Sequence, residues 1–471
     1  MPATSRYTFR LPLADGYALF NTSSGGVMRL DGPDADELST LLSGPPTAID
    51  PEALGADLTA QLRRGGFLVD PGFDEVGVIR ERYWAARGET PISLLVTTTM
   101  DCNLGCYYCF ETRSSDSLRV GDADDLVAIA RERLGRSGKR SLHVDWYGGE
   151  PLLNVEFLEA ASAALQELCA ELGVGYLASI ISNGTRWPDD VGAFVARHRL
   201  HEVQISFDGM RANHDKRRHY RRAHPAAGER SPFELGAELV GRLLEHTRVD
   251  VRYNADPGNA GDLDAFLDFA AARGWFDAPH RCVVSVAKLT AYSGRSEFMR
   301  RRELDEDEYD ALQELARHKL PLAAQDDQDV VGGFPYPKTS VCGALAPDSA
   351  VVGADGLEYR CGLQVGETER AVGRFSGQPA GAESFGDAGW WESWDPTALP
   401  TCSRCSFLPV CWGGCPKRHL DGDQANVDLE GRFWRSNLPR MIAAGFGEEP
   451  PPGFAYGEAD QFRDGPPPLR D

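Results

Sequence analysis

Three cysteines, Cys102, Cys106 and Cys109, follow directly on the run Leu94-Leu95-Val96-Thr97-Thr98-Thr99. Their C-x3-C-x2-C spacing gathers three thiolates in one short turn that contains Gly105. Soft thiolates select iron-sulfur clusters or zinc. Three of them can hold three irons of a [4Fe-4S] cluster and leave the fourth open. Zinc normally takes a fourth protein ligand or a catalytic His or carboxylate, and none follows within the loop. Cysteines packed merely as small hydrophobes have no reason to gather at ligand spacing.

A second set lies far along the chain. Cys342 and Cys361 flank Gly356 as C-x13-G-x4-C, and Cys402, Cys405, Cys411 and Cys415 follow as C-x2-C-x5-C-x3-C. The last four also have the spacing of a tetrahedral zinc knuckle. Cys169 and Cys282 fall in helix and strand patterns and read as core cysteines. Eleven cysteines, most at ligand spacing, fit a reducing compartment rather than a disulfide framework.

The elements that must position these groups are legible as an alternation from residue 92 to about 290. Strand patterns at 94–99, 141–146, 176–182, 202–206, 249–254 and 282–287 alternate with amphipathic helices at 122–134, 154–172, 187–198, 232–246 and 261–273. Such alternation implies parallel strands with crossover helices. Six strands predict an α/β fold, a partial (β/α)6 TIM-type barrel, with functional loops at the C-terminal strand ends. The cysteine loop stands at one such end. Val144-Asp145-Trp146-Tyr147-Gly148-Gly149-Glu150-Pro151, Ser182-Asn183-Gly184-Thr185 and Ser206-Phe207-Asp208-Gly209 stand at the next three.

Residues 1–72 read as a separate winged-helix-like module. Tyr17 to Asn21 and Val27 to Leu30 flank Ser24-Gly25-Gly26, a hairpin signal; a helix opens at Asp34 to Leu38, and a second runs from Pro51 to Arg64 before Phe67-Leu68-Val69. Residues 73–91 form a linker helix, 92–300 the barrel, 301–443 a bridging region and cysteine-rich domain, and 444–471 a flexible tail with two proline runs.

At 471 residues, 42% hydrophobic and 25% charged, the chain is ordinary for a globular protein of two to four domains. A net charge of −22 argues against nucleic acid as a partner. One stretch from His214 to Arg222 is locally basic and reads as a solvated loop or a clamp on cofactor or substrate carboxylates. No membrane span or signal peptide is visible, so the expected location is the cytoplasm, without a membrane partner.

The stretch Cys102-Asn103-Leu104-Gly105-Cys106-Tyr107-Tyr108-Cys109, with an aromatic before its last cysteine, resembles the radical S-adenosylmethionine superfamily. The resemblance implies that S-adenosylmethionine chelates the open iron and is cleaved to methionine and a 5′-deoxyadenosyl radical, which abstracts hydrogen from an unactivated C–H bond. By the same resemblance Tyr108, Gly148, Gly149, Glu150, Ser182, Asn183, Ser206 and Asp208 contact the cofactor, Glu150 meeting its amino group. The later cysteines resemble the SPASM extension, which binds one or two auxiliary iron-sulfur clusters. That places Cys342, Cys361 and Cys415 at the first and Cys402, Cys405 and Cys411 at the second.

Two departures from the pattern stand out. The final SPASM cysteine is absent, with Phe433-Trp434 in its neighbourhood and His419, Asp421, Asp423 and Asp428 within sequence reach as substitute ligands. Directly after Cys361 stands Gly362, where sulfatase-maturing members carry an Asp base. The order of elements in residues 1–72 resembles the PqqD-like recognition elements of ribosomal peptide pathways, which add a leader peptide as an edge strand.

The resemblances together imply a peptide maturase that oxidatively modifies a precursor peptide, as by a C–C, C–S or C–O crosslink, with an external electron donor of flavodoxin or ferredoxin type. A dehydrogenase or protein maturase on another substrate, and a non-catalytic leader-binding scaffold, are the alternatives. No residue declares itself as catalytic acid or base; Asp145, Tyr147 and His214 are the candidates. The nine ligand-spaced cysteines form three groups of three. Anaerobically reconstituted protein is therefore expected to hold close to three clusters, or two if the missing cysteine empties one site; iron and sulfide analysis reads this directly, and a single cluster accompanied by zinc would favour the knuckle.

Overall fold

The computed structural model describes residues 1–325, 330–331, 334–375 and 386–463. The chain divides into two compact units: residues 1–90, 327–342 and 392–471 form one, and residues 91–326 and 343–391 the other. None of the described helices is long and apolar enough to cross a membrane.

The first unit begins with β1 (Ala3–Thr4), β2 (Thr8–Pro12), β3 (Tyr17–Asn21) and β4 (Val27–Leu30). Strands β2, β3 and β4 pair antiparallel in that order, Phe9 opposite Phe20 and Leu19 opposite Met28. At the β3–β4 turn the Asn21 side chain accepts from the amides of Ser23 and Ser24. Helices α1 (Ala35–Ser43), α2 (Pro51–Leu54) and α3 (Ala56–Arg64) follow, then β5 (Leu68–Val69), which pairs with β1. The single helix expected from Pro51 to Arg64 is broken at Gly55, whose φ of 77° only glycine adopts freely.

Period-two alternation gives this small sheet two apolar faces. Leu19 and Leu30 pack with Leu42, Leu62 and Phe67 of the helical side. Phe9, Leu11, Ala18 and Phe20 pack with Phe407, Trp434, Leu438 and Ile442, the last three on the helix Gln424–Gly445. Helix α4 (Glu75–Glu89), capped by Asp74, is tied to the same part of the chain by Tyr83 and Arg87, which both donate to the Trp394 carbonyl. Where the sequence suggests a flexible tail from residue 444, Tyr456 is buried, tilts against Phe9 at 4.8 Å and donates to the Arg10 carbonyl. Residues 464–471, with the second proline run, lie outside the described part.

The second unit contains six parallel strands: β6 (Ile92–Thr99), β7 (Ser141–Gly148), β8 (Gly175–Ser182), β9 (Leu200–Phe207), β10 (Arg248–Ala255) and β11 (Cys282–Lys288). They lie side by side in chain order. Helices α5 (Asp122–Ser137), α6 (Val155–Leu172), α7 (Val191–His198), α8 (Arg211–Arg217), α9 (Pro232–Leu243), α10 (Leu263–Ala272) and α11 (Glu306–Lys319) connect and follow them. This is the partial (β/α)6 barrel that the alternation predicts. The sheet continues beyond β6: Ala350–Val352 pairs with it in parallel, and Leu357–Tyr359 and Gly373–Arg374 add antiparallel strands.

Alternate strand residues face the helices and close the core, among them Leu94, Val144, Trp146, Ile180, Val203, Val251 and Cys282, and Cys169 joins them from helix α6, both cysteines buried as expected. The opposite face is polar. Asp145 accepts from Ser93 and Ser179 and meets His143 at 3.3 Å; Asp250 accepts from Gln204 and Ser285. Burial pushes Asp145 up, but its bonds to His143, Ser179 and Ser93 together outweigh that and hold it below the usual carboxylate range.

Because Tyr456 fills a buried position, Tyr456→Ala is expected to destabilise the first unit by about 3 kcal/mol. Urea unfolding followed by tryptophan fluorescence checks this; a shift near zero would return the segment to the status of a loose tail.

Candidate functional site

The loop after β6 places Cys102, Cys106 and Cys109 together. Burial raises all three thiols, and their mutual charges add to the effect at Cys102 and Cys109, the latter being pushed up to about 11. At Cys106 the Arg218 guanidinium pulls the other way. Protein backbone and side chains hold the loop from behind. The Gly105 amide donates to the His219 carbonyl at 2.7 Å, and the Arg221 amide to the Asn103 carbonyl at 2.9 Å. Arg221 also reaches Asp101 and the Cys102 carbonyl at 2.7 and 2.8 Å, and His224 meets the other Asp101 oxygen at 2.8 Å.

The end of β7 runs against this loop at backbone distance. The Gly149 and Glu150 amides donate to the carbonyls of Thr99 and Asp101, both at 3.0 Å. A Cβ on Gly148 would stand 2.3 Å from the Thr99 oxygen, and one on Gly149 2.3 Å from that of Asp101. Gly148 also takes a φ of 131°. Only glycine meets both demands.

Glu150 is thereby delivered to a fully buried position. Its carboxylate accepts from the Asn183 amide at 2.7 Å, from the Ser182 hydroxyl at 3.0 Å and from the Leu152 amide at 3.2 Å. Burial nevertheless pushes it from the ordinary 4.5 up to about 7, the three bonds acting against the shift. Ser182 and Asn183, expected at the cofactor, are thus turned toward Glu150, and Asn183 also donates to Asn103 at 2.9 Å and toward the Cys102 sulfur at 3.7 Å.

Tyr108 and Asp208 meet one another. The Tyr108 hydroxyl donates to Asp208 at 2.8 Å and accepts from Arg218 at 2.7 Å. Arg217 bonds Asp256 at both oxygens, at 3.0 and 2.9 Å, and Asp208 at 3.2 Å. The basic stretch therefore includes the end of helix α8, and its Arg217 and Arg218 are buried clamps on the protein's own carboxylates. Ser206, half-buried on β9, lies opposite Arg252 of β10. Asp145 belongs to the polar inner face of the sheet, and Tyr147 bonds Glu111. His214 is buried between Phe207 and Phe233, where its Nδ1 accepts from the Asp208 amide and burial lowers its affinity for a proton.

Sequence reading gave no role to Asp101, Asn103, Glu111 and Asp256, and it anticipated Arg217 and Arg218 only as part of a basic stretch. Asp101 and Glu111 flank the cysteines so closely that proximity alone could have marked them. Asp256 joins the group only through the fold. The Glu111 carboxyl is pushed up to about 7 by burial, which outweighs its bond from Tyr147.

Of the second set, Cys342, Cys402, Cys405, Cys411 and Cys415 belong to the first unit and Cys361 to the second. Burial raises Cys405 to about 11 and pushes Cys411 well above its ordinary range, the charges of Glu430, Cys402 and Cys405 adding to the shift at Cys411. Among the described residues no three His, Cys, Asp or Glu side chains converge on a position for one metal ion. A four-iron cubane holds its thiolates further apart than a single zinc ion does. The donor set of the barrel loop, three thiols with a buried carboxylate and glycine backbone beside them, fits such a cluster carrying an amino acid ligand.

Comparison with known proteins agrees. Residues 96–227 match the model of the Radical SAM superfamily, so the barrel carries a radical S-adenosylmethionine domain. The mycofactocin maturase MftC of Mycolicibacterium smegmatis is 22% identical over 356 residues, which cover 69% of this chain and 78% of that protein. The sporulation killing factor maturation protein SkfB of Bacillus subtilis is 24% identical over 201 residues, 42% of this chain and 44% of that one. The solved structure of native anSMEcpe with bound AdoMet superimposes with a TM-score of 0.56 at 18% identity, covering 76% of this chain and all of that one, a likeness of fold.

Glu150 gives a measurable pH dependence. Its folded value lies above its ordinary one, so the stability of the protonated form is complete below about pH 4.5 and is lost as pH rises through about 7. In the cluster-free protein, Glu150→Gln is expected to gain up to about 3 kcal/mol over wild type between pH 5 and pH 8. Parallel denaturation curves at the two pH values measure the gap; a constant difference would mean that Glu150 ionises freely.

Proposed function

We propose that this chain is a radical S-adenosylmethionine peptide maturase that oxidatively modifies a ribosomally made precursor peptide. The observation that carries the chemistry is the buried Glu150 carboxylate, held at the junction of three strand ends beside the cysteine loop. When bound, the cluster and S-adenosylmethionine supply a 5′-deoxyadenosyl radical for hydrogen abstraction. The chain's own residues bind and orient. Glu150 offers a desolvated carboxylate to an ammonium group, where the pairing is stronger than in water. Arg218 and Asp208 fix the Tyr108 ring next to Cys109, and Gly148 and Gly149 keep the approach free of side chains. An external one-electron donor of flavodoxin or ferredoxin type completes the scheme, with auxiliary clusters at the later cysteines.

Two observations support a peptide substrate. The relatives MftC and SkfB are named as a maturase and a maturation protein. The first unit presents β4 as a terminal strand, with its start against the end of α3: a Cβ on Gly26 would lie 2.0 Å from the Gly65 oxygen. An unpaired strand edge is a template for an added strand. Met28 of β4 and Leu38 of α1 are partly buried on the same core, and Leu41 of α1 is exposed, giving apolar seats on this module. Sulfatase-type oxidation is disfavoured by Gly362, where a Cβ would meet Leu95 at 3.2 Å and no carboxylate is present.

The test uses the full chain, because residues 1–90 share a core with the segment from 392 onward. Met28→Glu with Leu41→Glu is expected to weaken binding of the precursor peptide from a neighbouring short reading frame by about tenfold or more. Peptide-free cleavage of S-adenosylmethionine is expected to persist. Unchanged binding and modification, measured by fluorescence anisotropy and mass spectrometry, would reduce the module to a structural cap.

A further inference from the structure

In the first unit, the turn that follows Cys411 meets a carboxylate that the cysteine spacing does not announce. Cys411 ends the helical turn Leu408–Cys411. Beyond it Trp412, Gly413 and Gly414 take φ of 50°, 77° and 70°, a left-handed run that turns the chain back toward Cys415. That turn lies against the helix Gln424–Gly445 at Glu430. A Cβ on Gly414 would stand 2.5 Å from the Glu430 Cγ and 2.9 Å from its Oε1, so a bare backbone at 414 is what admits the carboxylate. Trp434, one turn further along the same helix, belongs to the core against which Cys405 and Cys411 pack, so this side of the helix faces the cysteines.

The substitute ligands suggested by sequence are directed elsewhere. His419 meets the Gly413 carbonyl at 2.8 Å, Asp421 receives Lys417, Asp423 receives Asn426 at 2.6 Å, and Asp428 receives Gln424 at 2.7 Å. Phe433, in the neighbourhood where the pattern expects its last cysteine, lies on the same helix as Glu430. The two are three residues apart, about one turn, and so share a helix side.

We propose that Glu430 is the fourth ligand of the second auxiliary cluster, completing the set of Cys402, Cys405 and Cys411 in place of the missing cysteine. The inference rests on the reading of those three cysteines as cluster ligands. Arg418, 3.7 Å from Glu430 Oε1, is placed to orient the carboxylate from outside. A hard oxygen donor on one iron makes that iron the most easily lost of the four.

The experiment compares anaerobically reconstituted full-length wild type with Glu430→Gln, Glu430→Cys and, as a control on the same helix, Asp428→Asn. Readouts are iron and sulfide per chain, electron paramagnetic resonance after mild oxidation, and the rate of iron loss to a chelator. Glu430→Gln is expected to hold about one iron fewer per chain and to show a three-iron cluster signal. Glu430→Cys should restore the iron and resist the chelator about tenfold longer than wild type. Wild-type iron content and chelator resistance in Glu430→Gln would overturn the assignment, as would equal loss in Asp428→Asn, which would trace the effect to the helix. Wild type whose iron matches the barrel cluster alone would instead overturn the auxiliary-site reading itself.

Discussion

The site depends on one close approach between two backbones. The end of β7 can run against the cysteine loop only because Gly148 and Gly149 put hydrogen atoms where any side chain would strike the Thr99 and Asp101 carbonyls. Two amide-to-carbonyl bonds then fix the register of loop against strand. Everything downstream inherits that register: Glu150 lands within reach of the Ser182 hydroxyl and the Asn183 amide, so the ends of β6, β7 and β8 become one rigid corner. A side chain introduced at either glycine would act on the cysteines and on Glu150 together.

Around this corner the chain spends positive charge internally. In a chain with a net charge of −22, Arg217 and Arg218 are buried against Asp208, Asp256 and Tyr108. Buried ion pairs are weak sources of net stability, because desolvation offsets most of the attraction. Their effect here is geometric. Arg217 lies over both Tyr107 and Tyr108, at 5.1 and 5.7 Å from the ring centroids, so one guanidinium holds both residues between Cys106 and Cys109.

The barrel was readable because its signal is local: a period of two, a period of 3.6, and Gly or Asx residues at the strand ends. The six strands fell where that alternation put them. Strands β1 and β2 were not anticipated, since Thr8 to Pro12 contains Arg10 and Pro12 and reads as mixed polarity; its apolar residues, Phe9 and Leu11, find their partners some 400 residues later, at Phe407 and Trp434. Long-range partners also explain the tail, where Tyr456 is ordered by Phe9. At the site, cysteines and glycines announced themselves by spacing. Asp256 and Glu430 did not, because an acid in a helix or strand-end loop looks like any other until the fold turns it inward.

The sheet in the barrel unit is a ribbon with two ends. Among the described residues it runs from β11, whose Val284 is bridged by Gln325, through β6 to Gly373–Arg374, and those end strands are not paired with one another. A closed barrel receives a molecule only through its mouth, end first. An unclosed one has a seam along its length, and a chain laid into that seam can present an interior segment to the polar inner face while both of its termini stay outside. Cyclic, branched or tethered chains are then no harder to admit than linear ones, and reaction at successive positions needs sliding along the seam rather than release and re-threading.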